Sequence, residues 1–280
     1  MKLFRGVNNS MPKMFVVSDI HGFYDEFIEA LTEKGYDPNN ADHWVIGCGD
    51  FFDRGSKPKE VMDFFMNCPR AVMIRGNHED LLDNIFTTYK IGMHDVHNGT
   101  VKTIGDICGD DEWYLDDKRV QNINKCSLTI SPFLDRMVDY FETQHYIFVH
   151  GYIPVWQFVN GFEYREDWRN ATTDAWRSSR WLNGINVGFK DIFEPGKIIV
   201  CGHWHTSWGR NQRYGEDEWG PNADFSPFQY KSVIAIDACT AYSGKVNCIV
   251  IDDDFIDHNY NNEFLTAVVV DCKDKSQDEG

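Results

Sequence analysis

Residues 49–80 read GDFFDRGSKPKEVMDFFMNCPRAVMIRGNHED. The aspartate-bearing turn Gly49-Asp50-Phe51-Phe52-Asp53-Arg54-Gly55 opens the stretch, and Gly76-Asn77-His78-Glu79-Asp80 closes it. Between them, Pro58 to Asn67 carries Val61, Met62, Phe64 and Phe65 at helical spacing, and Ala71 to Ile74 is a short apolar run. Such a run bounded by Gly and polar residues reads as a buried strand. Trp44 to Gly47 is another such run, leading into the first motif, and Met14 to Ser18 is a third, ending on Asp19-Ile20-His21-Gly22. Strands alternating with helices predict a parallel-type sheet covered by helices. Asp, His and Asn at three strand ends predict a site along one crest of that sheet, where open α/β folds hold their ligands.

Working outward, Phe23 to Lys34 has helical spacing and stops at Gly35. Asp80 to Tyr89 continues as a helix, and Ile91 to Lys125 is polar enough to read as an inserted cap of irregular and helical pieces. Ile130 to Thr143 has helical periodicity. Tyr146 to Val149 is a strand ending on His150-Gly151, and Lys197 to Cys201 is a strand running into Gly202-His203-Trp204-His205. Pro154 to Asn186 reads as helical between loops, and its Trp168, Trp176 and Trp181 as packing residues. Gly209 to Pro227 reads as a loop. Val233 to Asp237 and Val246 to Ile251 look like a terminal hairpin joined through Tyr242 to Lys245. One domain over residues 14–251, its cap at 91–125, with loose termini at 1–13 and 271–280, accounts for the chain; no internal repeat or linker divides it.

The chain has 280 residues, 42% of them hydrophobic and 15% aromatic, enough for a sizeable core. Its formal net charge of −17 argues against a general nucleic-acid or anionic-membrane binder, because phosphate backbones demand clustered Lys and Arg. The eight cysteines form no CxxC and several lie in apolar runs, the usage of reduced thiols in a cytoplasmic protein. The N-terminal residues contain no signal-peptide core, and no run reaches the roughly 18 apolar residues of a spanning helix.

The candidate ligands are Asp19, His21, Asp50, Asn77, His150, His203 and His205. Carboxylate, amide and imidazole without thiolate suit hard-to-borderline divalent ions such as Mn, Fe or Zn. Seven donors exceed one tetrahedral ion but fit two ions sharing a carboxylate, with Asp50 on the middle strand as the natural bridge. A pair of metals about 3.5–4 Å apart clamps a phosphoryl group and lowers the pKa of a bound water. Residues two apart on a strand share a face, so Asp19 with His21, and His203 with His205, would each approach one ion. A lone histidine at a strand end is more often a satisfied polar residue. Five ligand-type clusters, each directly after an apolar run, are hard to place by accident.

Asp-x-His, Gly-Asp-x-x-Asp-Arg-Gly, Gly-Asn-His-Glu, a later His-Gly and Gly-His-x-His together resemble the calcineurin-like metallophosphoesterases, from about Met14 to Ile251. The GDxxDRG and GNHE wording is similar to the phosphoprotein phosphatase branch, with its bacterial and phage serine/threonine phosphatases and diadenosine tetraphosphatase relatives. The resemblance implies a central β-sandwich wrapped by helices, with two divalent metals at the strand ends: manganese first, with iron, zinc or nickel as alternatives. It implies Asp19, His21 and Asp50 on the first metal, and Asp50, Asn77, His150 and His203 on the second. His205 belongs to the wider superfamily's pattern on the first metal. Arg54 matches the arginine that holds the phosphate, and His78 the proton donor to the leaving group, oriented by Asp53. Of the two arginines in Trp176-Arg177-Ser178-Ser179-Arg180, Arg177 is taken as the second phosphate ligand, and Tyr242 as a residue edging the site.

The expected function is hydrolysis of phosphate monoesters, as in serine/threonine phosphoprotein phosphatases, by a hydroxide held between the metals, with a phosphorylated protein or nucleotide as partner. Diadenosine tetraphosphate hydrolysis is the alternative within the same chemistry, since both substrates offer a phosphate to the same metals. A non-catalytic metal-binding scaffold is the second alternative; intact ligands, Arg54 and His78 argue against it.

Overall fold

The computed structural model describes residues 3–4, 11–110, 112–114 and 118–256. In chain order the first half is β1 (Leu3–Phe4), β2 (Lys13–Val17), α1 (Tyr24–Glu33), β3 (His43–Cys48), α2 (Pro58–Asn67), β4 (Ala71–Ile74), α3 (Asn77–Thr88), α4 (Met93–Asn98), α5 (Thr100–Cys108) and α6 (Arg119–Leu134). The second half is β5 (Phe141–Glu142), β6 (Tyr146–Phe148), β7 (Trp156–Phe158), β8 (Gly161–Glu163), α7 (Thr173–Ser179), α8 (Gly184–Phe189), β9 (Ile198–Cys201), α9 (Thr206–Tyr214), β10 (Phe228–Tyr230), β11 (Val233–Ala235), α10 (Thr240–Ser243), β12 (Cys248–Asp252) and β13 (Phe255–Ile256).

Two mixed sheets face each other. One is ordered β12-β2-β3-β4 and the other β10-β11-β9-β6-β5. In the first, β2, β3 and β4 are parallel, joined by the crossovers through α1 and α2, and β12 closes the edge antiparallel to β2. In the second, β6, β9 and β11 are parallel, with β5 and β10 antiparallel at the edges.

The strands Lys-Met-Phe-Val-Val and His-Trp-Val-Ile-Gly-Cys do not alternate apolar with polar because both of their faces are covered. Met14, Val16, Trp44, Ile46, Val72 and Ile74 point between the sheets, against Phe148, Ile199, Val200 and Ala235. Phe15, Val17, Val45 and Met73 point the other way, into a layer built by α1, α2, α3, α5 and α6. The expected α/β architecture, a sandwich flanked by helices, is the one observed.

Several local expectations change. Val233 to Asp237 and Val246 to Ile251 do not form a hairpin: β11 pairs with β9 and β10, whereas β12 crosses to β2 in the other sheet. Two apolar strands linked by a Gly-bearing turn look alike whether they pair with each other or with separate sheets. The Gly209 to Pro227 region contains most of α9, whose run Thr-Ser-Trp-Gly-Arg-Asn-Gln-Arg-Tyr is too polar to advertise itself as a helix. The helix expected from Ile130 instead starts at Arg119 and ends at Leu134, so it overlaps the cap region of 91–125. Pro154 to Asn186 opens with the β7–β8 hairpin before its helices. Within the lead-in 1–13, Leu3 and Phe4 pair with Ile256 and Phe255, and β2 begins at Lys13; the 271–280 terminus lies outside the described residues.

Candidate active site

The parallel strands share one direction, so their C-terminal ends meet along one crest. β2 ends at Val17 and Asp19 follows two residues on; β3 ends at Cys48 before Asp50; β6 at Phe148 before His150; β9 at Cys201 before His203; β11 at Ala235 before Asp237. Asn77 stands three residues past β4, at the start of α3. Six polar side chains from six strands thus converge from both sheets. All but His150 line a cavity of about 140 Å³ whose walls include Asp19, His21, Asp50, Arg54, Asn77, His78, His203 and Asp237, with Asn98 and Trp181 completing them.

The turns leaving the strands are tight. Asp19, His21, Asp50, Asp53, Arg54 and His203 all adopt positive φ, between 51° and 74°. Left-handed backbone at a non-glycine residue costs about 1–3 kcal/mol and persists where surrounding structure imposes it. Two glycines are required sterically: a Cβ at Gly202 would sit 1.9 Å from Ser18 Oγ, and one at Gly76 would sit 2.2 Å from Asp50 Oδ1.

Asp50 is the hub. Its Oδ2 lies 3.7 Å from His21 Nε2 and 3.8 Å from His78 Nε2, and its Oδ1 lies 3.3 Å from His150 Nε2. Among the described residues it belongs to both clusters of ligand atoms lying within 4.8 Å of one another, His21–Asp50–His78 and Asp50–His150–His203. His21 Nδ1–H donates to the Phe52 carbonyl (2.8 Å) and His150 Nδ1–H to the Cys48 carbonyl (2.9 Å). Each bond orients its ring with Nε2 turned to Asp50, the usual way a ligating imidazole is held. Asn77 Oδ1 is 2.8 Å from His150 Nε2, and the His203 backbone N–H donates to both oxygens of Asp19.

Electrostatics mark the cluster as cation-hungry. Burial pushes Asp19 well above the usual carboxylate range, with the Asp237 charge adding to it. Asp237 is itself pushed up to about 6, chiefly by burial. Burial opposes ionisation of Asp50, yet His150 and His78 beside it hold it well below the ordinary value. Burial works against charge on His150 too, but Asp50 outweighs it and lifts this histidine to about 10. His203 is pushed down to about 3, and His21 well below its ordinary value, both chiefly by burial. Three buried carboxylates among imidazole and amide donors form an arrangement that divalent cations would complete. The donor set therefore fits the metals implied by the sequence.

Beside the hub stands a dyad. His78, in the first turn of α3, lies with Nδ1 2.7 Å from Asp53 Oδ2, leaving Nε2 on the cavity side, 3.4 Å from the Arg54 guanidinium. Burial disfavours its charged form, but Asp50 and Asp53 more than compensate and raise its pKa. Glu79 locks the two motifs together: its carboxylate accepts from the backbone N–H groups of Gly76, Asp50 and Phe51 at 2.9–3.0 Å. Burial and the neighbouring Asp50 charge push Glu79 up to about 7, against those donors.

All twelve site residues named from the sequence lie among the described residues, and nine of them converge. Asp19, His21, Asp50, Asn77, His150 and His203 come together, as do Asp53, Arg54 and His78. His205 does not join them: it caps α9, its Nδ1 meets Ser207 Oγ (2.8 Å), its Nε2 faces Glu218, and its ring packs on Trp219. Residues two apart share a face only if the strand continues, and here β9 has already ended at Cys201. Arg177 is exposed on α7 and absent from the cavity wall. Its neighbour Arg180 is buried against Asp80 and Asp139. Tyr242 lines a separate cavity with Phe225 and Lys245, and its hydroxyl accepts from the Gly220 N–H. Trp168 and Trp176 pack in the core as expected, whereas Trp181 is half exposed at the cavity mouth. Asp237, Glu79, Asn98, Thr100 and Thr103 were not singled out from sequence. Asp237 carried the same signal as Asp19 and Asp50, a carboxylate just past an apolar strand.

Comparison with known proteins finds relatives of this chain. The asymmetrical bis(5'-nucleosyl)-tetraphosphatase PrpE of Bacillus velezensis is 36% identical over 72 residues, covering 22% of this chain and 29% of that protein. Serine/threonine-protein phosphatase 2 of Salmonella typhimurium is 32% identical over 75 residues, covering 27% of this chain and 33% of that one. The matched segments thus span a third or less of either relative. The crystal structure of a cold-active protein-tyrosine phosphatase of a psychrophilic Shewanella superposes with a TM-score of 0.50, covering 86% of this chain and 76% of that one at 15% identity, a likeness of fold alone. Residues 12–235 match the profile of the calcineurin-like phosphoesterases, and the chain belongs to that family.

Proposed function

We propose that the protein hydrolyses phosphate monoesters, with His78 protonating the leaving group. The observation that carries this reading is the dyad: His78 Nδ1 2.7 Å from Asp53 Oδ2, with Nε2 turned to the cavity beside Asp50 and Arg54. Asp19, His21 and Asp50 would hold one divalent ion, and Asp50, Asn77, His150 and His203 a second. When bound, such a pair supplies Lewis acidity toward the phosphoryl oxygens and lowers the pKa of water at neutral pH. The protein's own residues do the rest. Arg54 offers a guanidinium fork to the phosphate dianion. His78, held through Nδ1 by Asp53, gives its Nε2 proton to the departing oxygen. Glu79 keeps the Asp50 and Asn77 turns in register through its three backbone contacts.

A cavity of about 140 Å³ admits a phosphoryl group but not a nucleoside, so the remainder of any substrate lies outside it. That favours an ester presenting a terminal phosphate, as a phosphoserine or phosphothreonine does. The tetraphosphatase names of several partly matching relatives keep dinucleoside polyphosphates as the second reading. Turnover of phosphopeptides against diadenosine tetraphosphate, each with and without added Mn²⁺, decides between them. Faster turnover of the phosphopeptides supports the first reading and faster turnover of the dinucleotide the second. No turnover of either with metal bound leaves a binding scaffold.

A further inference from the structure

The inserted region between α3 and α6 reaches into the acid. Thr100 Oγ1 donates to Asp53 Oδ2 at 2.7 Å, the same oxygen that meets His78 Nδ1. Thr103 Oγ1 donates to Asp53 Oδ1 at 3.0 Å and accepts the Asp53 backbone N–H at 3.0 Å. Because that hydroxyl oxygen already accepts from the backbone, its own proton is directed at the carboxylate. Both threonines and Asp53 are almost fully buried. The segment is pressed against the motif: Gly99 has φ +92°, and a Cβ there would approach the Arg54 nitrogen to 2.8 Å. Val101, Ile104 and Ile107 anchor the same helix, α5, in the apolar layer beneath.

We propose that Thr100 and Thr103 are positioning residues for leaving-group protonation, so that the insertion is a working part of the active site. The inference rests on the reading of His78 as the acid. In the step concerned, a hydroxide oxygen bonds to phosphorus as the bond between phosphorus and the leaving oxygen breaks. The proton on His78 Nε2 passes to that oxygen, and His78 remains neutral with Nδ1–H on Asp53. Asp53 can hold the imidazole at the angle this transfer needs only if its own two oxygens are fixed. The two hydroxyls fix one oxygen each. Hydrogen bonds to a charged group are among the stronger ones, and losing alignment of a general acid is felt only where the leaving group needs a proton.

The test compares phenyl phosphate, whose leaving group needs a proton, with 2,4-dinitrophenyl phosphate, whose leaving group does not. Manganese-loaded full-length protein is used, as wild type, T100V, T103V, T100V/T103V, T100S/T103S and H78N, with metal content measured for each. Valine keeps the volume of threonine and serine keeps the hydroxyl. The expected result for T100V/T103V is a loss of about 10- to 100-fold in kcat on phenyl phosphate and less than about 3-fold on the dinitrophenyl ester, at wild-type metal content. Each single valine variant gives the same pattern at smaller size, and the serine pair restores phenyl phosphate turnover. Equal losses on both esters, or no loss on either, overturns the positioning role, and the single variants still decide if the double variant does not fold. If H78N itself loses equally on both esters, the acid assignment fails and takes this inference with it. A leaving-group-dependent loss in H78N without one in the threonine variants removes the inference alone.

Discussion

At the scale of single residues, the site is built on carboxylates that are costly to bury. Asp19, Asp50 and Asp237 are each at most 7% exposed, and unpaired charges so placed destabilise a fold by several kcal/mol. Their presence at one crest makes sense only if cations or protons neutralise them. Asp50→Asn should therefore lower metal content itself, to about one ion per chain or fewer by elemental analysis, and reduce kcat by at least about 100-fold; full metal content with full activity would contradict the bridging role. His78→Asn should leave metal content intact and lose about 100- to 10,000-fold on alkyl phosphates, with a much smaller loss on nitrophenyl phosphate.

Most of this crest is legible in the sequence, because a polar ligand directly after an apolar run is a one-dimensional signal. Asp19, Asp50, His150 and His203 share it, and Asp237 shows it equally plainly. What the sequence leaves hidden is side-chain direction. His205 and Arg177 carry suitable chemistry but leave their elements pointing elsewhere, and Arg180, one turn from Arg177, is turned inward to Asp80 and Asp139. Arg177→Ala should leave kcat/KM on small phosphate esters within about 2-fold. Arg180→Met should cost about 1–2 kcal/mol in urea unfolding, because it removes a buried partner from Asp80, which keeps Arg75, and from the part-exposed Asp139. A loss of kcat/KM well beyond 2-fold in Arg177→Ala would restore Arg177 to the site.

At the scale of elements, the offset of two residues between strand end and site residue recurs on five strands and sets the geometry of the crest. The strands are legible from their apolar runs, but their partners are not. The transfer of β12 to the first sheet depends on antiparallel register with β2, Cys248 opposite Val17 through Asp252 opposite Lys13, contacts far apart in sequence. The cap was visible only as a polar region, since the hydroxyls of Thr100 and Thr103 gain meaning only from Asp53 some fifty residues away.

A second polar network holds the other end of the sandwich. Glu142 on β5 accepts from Arg169 Nε and Nη2 and pairs with Lys197, while Arg169 also reaches Glu194. Burial pushes the Glu142 carboxyl up, but Arg169 and Lys197 outweigh it and leave its pKa below the ordinary value. A group depressed in the folded state stabilises above its unfolded pKa and loses that contribution as pH falls through the folded value. Stability from Glu142 should thus be full above about pH 4.5 and decline in more acid solution. Glu142→Gln should cost about 1–3 kcal/mol at pH 7 by urea unfolding, with the difference from wild type shrinking as pH falls below 4; a difference independent of pH would contradict the ion pairing.

At the scale of the molecule, two sheets pack through a shared apolar layer so that their parallel strands end together, and neither sheet alone holds the complete site. Asp19, Asp50 and Asn77 come from the first sheet, while His150, His203 and Asp237 come from the second. Metal binding should therefore couple to the stability of the whole sandwich, and saturating Mn²⁺ should raise the thermal midpoint of the wild type more than that of Asp50→Asn. The charge of −17 leaves the basic Arg54 at the cavity as a local feature on an acidic surface, which disfavours polyanionic substrates as a class.

The most direct measurement of the central claim is metal stoichiometry followed through chelation and return. Protein purified without chelator should bind two divalent ions per chain, lose phosphate ester hydrolysis when they are stripped, and regain it as two equivalents of Mn²⁺ are added back. Hydrolysis at undiminished rate after complete removal of metal would contradict the account.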